Sequence, residues 1–218
     1  MPHLPDGARR PVAAERDAQA PRAASRLVGP EPGGPAAADP EGETRFRFGR
    51  HVHRLLQLVP DLPTDRRAPA IDRYLKGQRE LDDAERERAA QSVLAVLDHP
   101  ALAPAFAPGA RAEQAICGVV DGIAITGQID RLAVEPGRVL LVDFKTGRRG
   151  SRVPVGHLRQ MAAYRALLRQ IYPDRPVEAV LVWTATATVE PLESQLLDAH
   201  IPACWQGGHD QSTLEASG

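Results

Sequence analysis

VLLVDFKTGRR (Val139–Arg149) is the stretch that decides the fold. Val139 to Val142 form an apolar run with β-branched character, the pattern of a strand buried on both faces. Asp143 and Lys145 follow at once, and Gly147 breaks the element. Side chains on a strand alternate with a period of two, so Asp143 and Lys145 share a face while Phe144 enters the opposite layer. A carboxylate and an ammonium at the end of a buried strand cost desolvation free energy unless partners meet them. A structural ion pair is one reading of this pair; a reactive site is the other.

Upstream, ITGQIDRLAV (Ile125–Val134) reads as a second strand, with Asp130 on the face of Thr126, Gln128 and Leu132. Glu135-Pro136-Gly137 signals a turn, so the two strands are expected to form a hairpin. That pairing can bring Asp130, Asp143 and Lys145 to one spot. Two ionised carboxylates repel each other, and a divalent cation between them removes the penalty. Oxygen donors suit hard cations such as Mg²⁺ or Mn²⁺. Lys145 beside them could hold a water or stabilise developing negative charge.

The remaining elements frame this pair. In RFRFGRHVHRLLQLVPDLP, Phe48, Val52, Leu55, Leu56 and Val59 fall at helical spacing until Pro60. His53 lies beside that stripe, where a lone histidine is more often structural than a ligand. Ala70–Leu75 and Asp82–Leu97 read as scaffold helices, the second capped by Asp82 or Asp83. DHPALAPAFAPGA reads as a proline-rich loop. A strand precedes Asp121-Gly122, a hairpin turn signal that leads into the Asp130 strand. TGRRGSRVPVG, with Arg148 and Arg149, reads as a loop. The helix VGHLRQMAAYRALLRQIYP ends at Pro173 and carries Gln160 and Tyr164 four residues apart, on one face. Val177–Ala185 is another buried strand.

The order GQID, VDFKT, QMAAY resembles the PD-(D/E)XK nuclease superfamily, and most closely the C-terminal nuclease module of AddA/RecB-type helicase–nucleases that process double-strand breaks. The likeness covers roughly Phe46 to Ala203. It implies an α/β fold of the restriction-endonuclease type, a mixed central sheet flanked by helices. It implies a Mg²⁺- or Mn²⁺-dependent deoxyribonuclease, with exonucleolytic cutting in repair and recombination. Gly49, His53 and Leu56 match a GxxxHxxL helix that supplies a metal-facing histidine; His51 is off by two residues, about 200° around a helix. The metal would be held by His53, Asp130, Asp143 and the carbonyl of Phe144, with Asp130, Asp143 and Lys145 as the catalytic set. Gln160 and Tyr164 match a QxxxY motif facing the metal or the nucleic acid, and Glu113 matches a family glutamate at the start of a strand. Arg148 and Arg149 are candidates for contact with DNA. A helicase motor and an AddB-like subunit are the partners the resemblance implies. A catalytically silent DNA-binding or docking module is the alternative.

The 218 residues suffice for one domain with tails, and a hydrophobic content of 43% suffices for its core. Residues 1–43 are rich in Pro, Ala, Gly and Arg without apolar periodicity, so a disordered linker is expected there. The nuclease domain is expected at 44–206 and a frayed tail at 207–218. No apolar run suits a signal peptide or a membrane span, and a cytoplasmic protein is expected. Cys117 and Cys204 form no CxxC, and ligands for an iron–sulfur cluster are lacking. There is no GxxxxGK[ST] phosphate loop and hence no ATP site, so the chain reads as the nuclease module without its motor. Net charge is only −1, yet Asp130–Arg175 carries ten Lys/Arg against four Asp/Glu, a local +6 expected to form a basic patch around the site.

Overall fold

The computed structural model describes residues 22–24, 40–147 and 149–201. A two-residue strand β1 (Arg22–Ala23) and helices α1 (Pro40–Leu58), α2 (Thr64–Lys76) and α3 (Asp83–Leu97) precede the sheet proper. Then come β2 (Arg111–Val120), β3 (Ile123–Val134), β4 (Val139–Lys145), α4 (Val155–Ile171), β5 (Val177–Trp183), β6 (Thr188–Leu192) and α5 (Ser194–Asp198). The expected mixed α/β sheet is present. β2–β3, β3–β4 and β5–β6 are antiparallel, whereas β4 and β5 run parallel, joined by the α4 crossover.

β4 runs through the middle and is buried along its apolar length. Leu141 joins Ile125, Ile129, Leu181, Met161 and Leu168 in the core beneath α4. Leu140, Val142 and Phe144 join Val52, Leu56, Ile71 and Val93 in the core beneath α1, α2 and α3. An uninterrupted apolar run is what a strand with a core on each face requires. The β2–β3 hairpin turns at Asp121 (φ 49°) and Gly122 (φ 80°), the two left-handed positions of a tight hairpin loop. Asp82 caps α3: its carboxylate accepts from Glu85 N at 2.7 Å, and Glu85 returns the bond to Asp82 N at 2.8 Å.

Several expectations need correction. The helix expected at 70–75 begins at Thr64 and contains Pro69; the hydrogen bond Pro69 cannot donate would have gone to the carbonyl of Asp65, an exposed residue that water can serve. The proline-rich loop is a run of 3-10 turns, Pro100–Phe106, that buries Leu102 and Ala105. Inside the stretch expected to be a linker, Arg22–Ala23 pairs in parallel with Ile125–Thr126 of β3, and α1 starts ahead of residue 44. β4 covers only Arg131–Val134 of that β3 edge, so the backbone further up needs another partner, and β1 supplies it. The tail at 207–218 and Cys204 lie outside the described residues.

Leu141 has no exposed surface and lies at the centre of the sheet. Leu141→Ala is expected to cost about 2–5 kcal/mol in urea unfolding at unchanged m-value; a loss below 1 kcal/mol would contradict the central position given to β4.

Candidate active site

The site is built where β3 and β4 part. Their ladder runs from Val134↔Val139 to Arg131↔Val142 and stops there. One further step would set Asp130 opposite Asp143, two carboxylates at one ladder position. On the other edge of β3 the pairs Ala112↔Arg131 and Gln114↔Ile129 flank Glu113, which lies across from Asp130 with a left-handed φ of 50°. Such a backbone costs a non-glycine residue about 1–3 kcal/mol. The alternation of β3 also loses a step here. Ile125, Ile129 and Leu132 all belong to the core beneath α4, although Ile129 and Leu132 are three residues apart. Arg131 and Ala133 turn to the opposite layer. The strict two-residue period read from the sequence, which gave Asp130 the face of Leu132, therefore does not run through Asp130.

Side chains of the site fill the fork. Asp130 Oδ2 accepts the backbone N–H of Phe144 at 2.7 Å, replacing the lost ladder bond. Lys145 Nζ lies 2.8 Å from Asp143 Oδ2, an ion pair between two nearly buried groups. Its alignment falls short of a hydrogen bond, so this oxygen has no hydrogen-bond partner. Lys145 Nζ donates to Gln160 Oε1 at 3.0 Å. An ammonium can only donate, so the Gln160 oxygen must face it and the amide nitrogen must face Tyr164, 3.5 Å from the phenol oxygen. Tyr164 in turn accepts the N–H of Gln128 at 3.1 Å. Its ring packs so close to β3 that a Cβ on Gly127 would overlap it. Gln160 and Tyr164 brace Lys145 and the backbone of β3 from the α4 side.

α1 closes the other side. A Cβ on Gly49 would fall 2.7 Å from Thr146 Cγ2, so the glycine lets α1 approach the end of β4. The His53 ring then stands edge-on to Phe144 at 5.9 Å between centroids, with Nδ1 3.9 Å from Asp130 Oδ2. His51 points elsewhere, bonded to Tyr74 at 3.0 Å and Glu80 at 3.1 Å. The structure thus brings His53, Asp130, Asp143 and Lys145 together, with Glu113 bordering them.

Four of the ten basic residues expected around the site lie away from it. Arg138, Arg165, Arg169 and Arg175 line a crevice of about 670 Å³ at the opposite end of the sheet, near the start of β5. There Arg138 pairs with Glu135 and Glu178, and Arg165 and Arg169 pair with Asp198. Arg149 is held by Glu190 at 2.8 Å, and Arg148 lies outside the described residues. The sequence reading missed Arg131, which is buried against α1, and Phe106, whose ring stacks parallel to Phe144. A charge directly after Asp130 in an otherwise apolar strand was the available signal for Arg131.

Burial, and then the charge of Asp143, push the Asp130 carboxyl well above its ordinary range. Burial likewise raises Glu113 and Tyr164. With both Asp130 and Asp143 ionised, the one ammonium would face more carboxylate charge than it neutralises, and this repulsion is part of what holds the Asp130 carboxyl up. Among the described residues no group of three or more His, Cys, Asp or Glu side chains closes into a metal cage. The donors at the fork nevertheless suit a hard divalent cation: two carboxylates that repel, one oxygen without a hydrogen bond, and an imidazole at the rim. A residue's N–H and C=O leave a strand on the same edge, so the carbonyl of Phe144 also faces the fork.

A family model described as the PD-(D/E)XK nuclease superfamily matches residues 22–209. Among solved structures, one titled "Crystal structure of SSO0001" is 17% identical; the match covers 72% of this chain and 85% of that one at a TM-score of 0.29, too low to bear on the fold. No curated protein matches.

Two outcomes test this geometry. Because the folded Asp130 pKa lies above the unfolded value of about 3.9, the metal-free fold is favoured at low pH and loses that advantage as pH rises through the folded pKa. Asp130→Asn in EDTA is expected to raise the thermal midpoint at pH 8 by about 2–4 °C, near 1 kcal/mol, and to give no gain at pH 4. A lower midpoint at pH 8 would mean that the bond to Phe144 outweighs the repulsion. Gly127→Ala, which drives a methyl into the Tyr164 ring, is expected to cost about 1–3 kcal/mol in denaturant unfolding; a neutral result would remove Tyr164 from the fork.

Proposed function

The chain belongs to the PD-(D/E)XK nuclease superfamily, and from that premise we propose that it is a deoxyribonuclease that hydrolyses phosphodiester bonds with Mg²⁺ or Mn²⁺. One observation carries the reading: Asp130, Asp143 and Lys145, from two strands, meet at one fork in the sheet, with His53 at its rim. Members of this superfamily generally use divalent metals.

Asp130, Asp143, the Phe144 carbonyl and His53 would hold the cation. Bound there, it would offset the carboxylate charge and lower the cost of charge building up on the phosphate. Lys145, fixed between Asp143 and Gln160, is placed to donate to the attacking water or to a phosphoryl oxygen. Water adds to phosphorus, the bond to the leaving sugar oxygen breaks, and that oxygen takes up a proton. Phe144 beneath His53, and the apolar strands behind both, exclude competing water from the inner side of the fork. The reading extends to exonucleolytic action at DNA ends during break repair and recombination, beside a helicase motor and an AddB-like subunit. The AddA/RecB-like motif order supports that extension. Among the described residues no helix is long and apolar enough to cross a membrane.

The test is cleavage of linear single- and double-stranded DNA, and of covalently closed circles, with Mg²⁺, Mn²⁺ or EDTA. Linear substrates are expected to be cut and circles spared, with no cleavage in EDTA. Lys145→Ala is expected to lower the rate about 10²–10³-fold, and Asp143→Ala to abolish metal-dependent cutting. A folded wild type that binds Mn²⁺ and cuts none of these substrates would instead indicate a silent docking module.

A further inference from the structure

α1 carries no basic residue in its own last turn. Carbonyls at a helix C-terminus have no intrahelical partner, and a cation there satisfies them and complements the dipole. Here the cation comes from the sheet. Arg131 Nη2 donates to Leu56 O at 2.7 Å and to Gln57 O at 3.0 Å. The residue is 1% exposed, and its guanidinium lies over the Phe106 ring, 5.4 Å from the centroid. Phe106 stacks in turn on Phe144 at 6.4 Å, and Phe144 carries the His53 ring edge-on.

We propose that Arg131 is a positioning residue for the metal centre: it hooks the end of α1 so that His53 is held against Asp130. The two hooked carbonyls lie three and four residues after His53, one helical turn along α1. The hook itself is the backbone neighbour of Asp130. The fork thus ties the spacing between a helix-borne imidazole and a strand-borne carboxylate to a single side chain. The lost alternation step of β3 is what makes this possible, because in strict alternation Arg131 would share the face of Ile129, beneath α4. Lysine would not do the same work: both bonds come from the one nitrogen Nη2, but the rest of the planar guanidinium stacks on the Phe106 ring, a contact that the compact, strongly hydrated ammonium does not reproduce. The proposal rests on the metal-dependent reading above.

The experiment is Mn²⁺ binding by calorimetry and pulsed EPR on the full chain, with wild type, Arg131→Met, Arg131→Lys, His53→Ala and the two double variants. Arg131→Met is expected to weaken Mn²⁺ binding about 10–100-fold, the range for residues that orient metal ligands. It should also remove the histidine nitrogen coupling from the Mn²⁺ spectrum. In the His53→Ala background neither Arg131 variant should weaken binding further, because the residue through which Arg131 acts is already gone. Should Arg131→Met not fold, Arg131→Lys carries the test, with a loss of several-fold that likewise vanishes beside His53→Ala. Equal Mn²⁺ affinity and unchanged nitrogen coupling in a folded Arg131 variant would overturn the proposal, as would full additivity with His53→Ala. A wild type that binds no Mn²⁺ would overturn the metal reading itself and this proposal with it.

Discussion

Two carboxylates on adjacent strands cannot share a ladder position without losing either their charge or their pairing. In this sheet the pairing is lost. β3 and β4 separate where Asp130 would face Asp143, and the separation strips backbone groups of their partners. A buried N–H left alone costs about 1–3 kcal/mol, so the fork is stable only if something fills it. What fills it are the side chains of the site. Asp130 takes the N–H of Phe144, and Tyr164 takes the N–H of Gln128. The bonds that hold the sheet open are therefore the same bonds that position the proposed catalytic groups. Lys145 is drawn into this network through Asp143 and Gln160.

The layers on either side are cut to fit the fork. On the α4 side, Gly127 admits the Tyr164 ring. On the α1 side, Gly49 admits Thr146 and lets the helix approach the end of β4. Ser92 of α3 donates to Thr184 O at 2.6 Å, and Thr184 N donates to Lys145 O at 2.8 Å, which pins the end of β4 to β5 and to the helical layer. Close contacts of this kind leave little room for rotamer exchange, and preorganised geometry is what electrostatic catalysis requires.

Much of this was legible in the sequence because its periodicities are local. The apolar run of Val139–Val142 marks a strand with two buried faces, and Asp121-Gly122 marks the β2–β3 hairpin. The shared face of Asp143 and Lys145 follows from alternation within one unbroken strand. The phase of Asp130 does not, because the period of two holds only while pairing continues, and the sequence does not say where pairing stops. Part of the expected basic patch lies elsewhere for another reason. Seventeen residues of α4 rise roughly 25 Å, so Arg165 and Arg169, close in sequence to Lys145, arrive at the far end of the sheet. Phe106 escaped because three prolines suggested an open loop, whereas two of them, Pro100 and Pro104, at the fixed φ that 3-10 turns tolerate, sit in the turns that wrap the segment onto the core.

The local costs in this fold are concentrated at one place. Glu113 holds a left-handed backbone, Asp130 is buried beside a second carboxylate, Arg131 is a cation with almost no exposed surface, and Asp143 and Lys145 form an ion pair at the edge of a core. None of these is a stabilising choice in itself. A buried ion pair replaced by well-packed apolar side chains commonly leaves stability unchanged or improves it, and a strand without the lost step at Asp130 would keep its ladder intact. A structural role alone would thus be served at least as well by apolar residues at 130, 143 and 145. The arrangement makes physical sense under the proposed reading, in which the carboxylate pair is an unfinished half of an interaction and the fork would be held open for a cation and the phosphate that it brings.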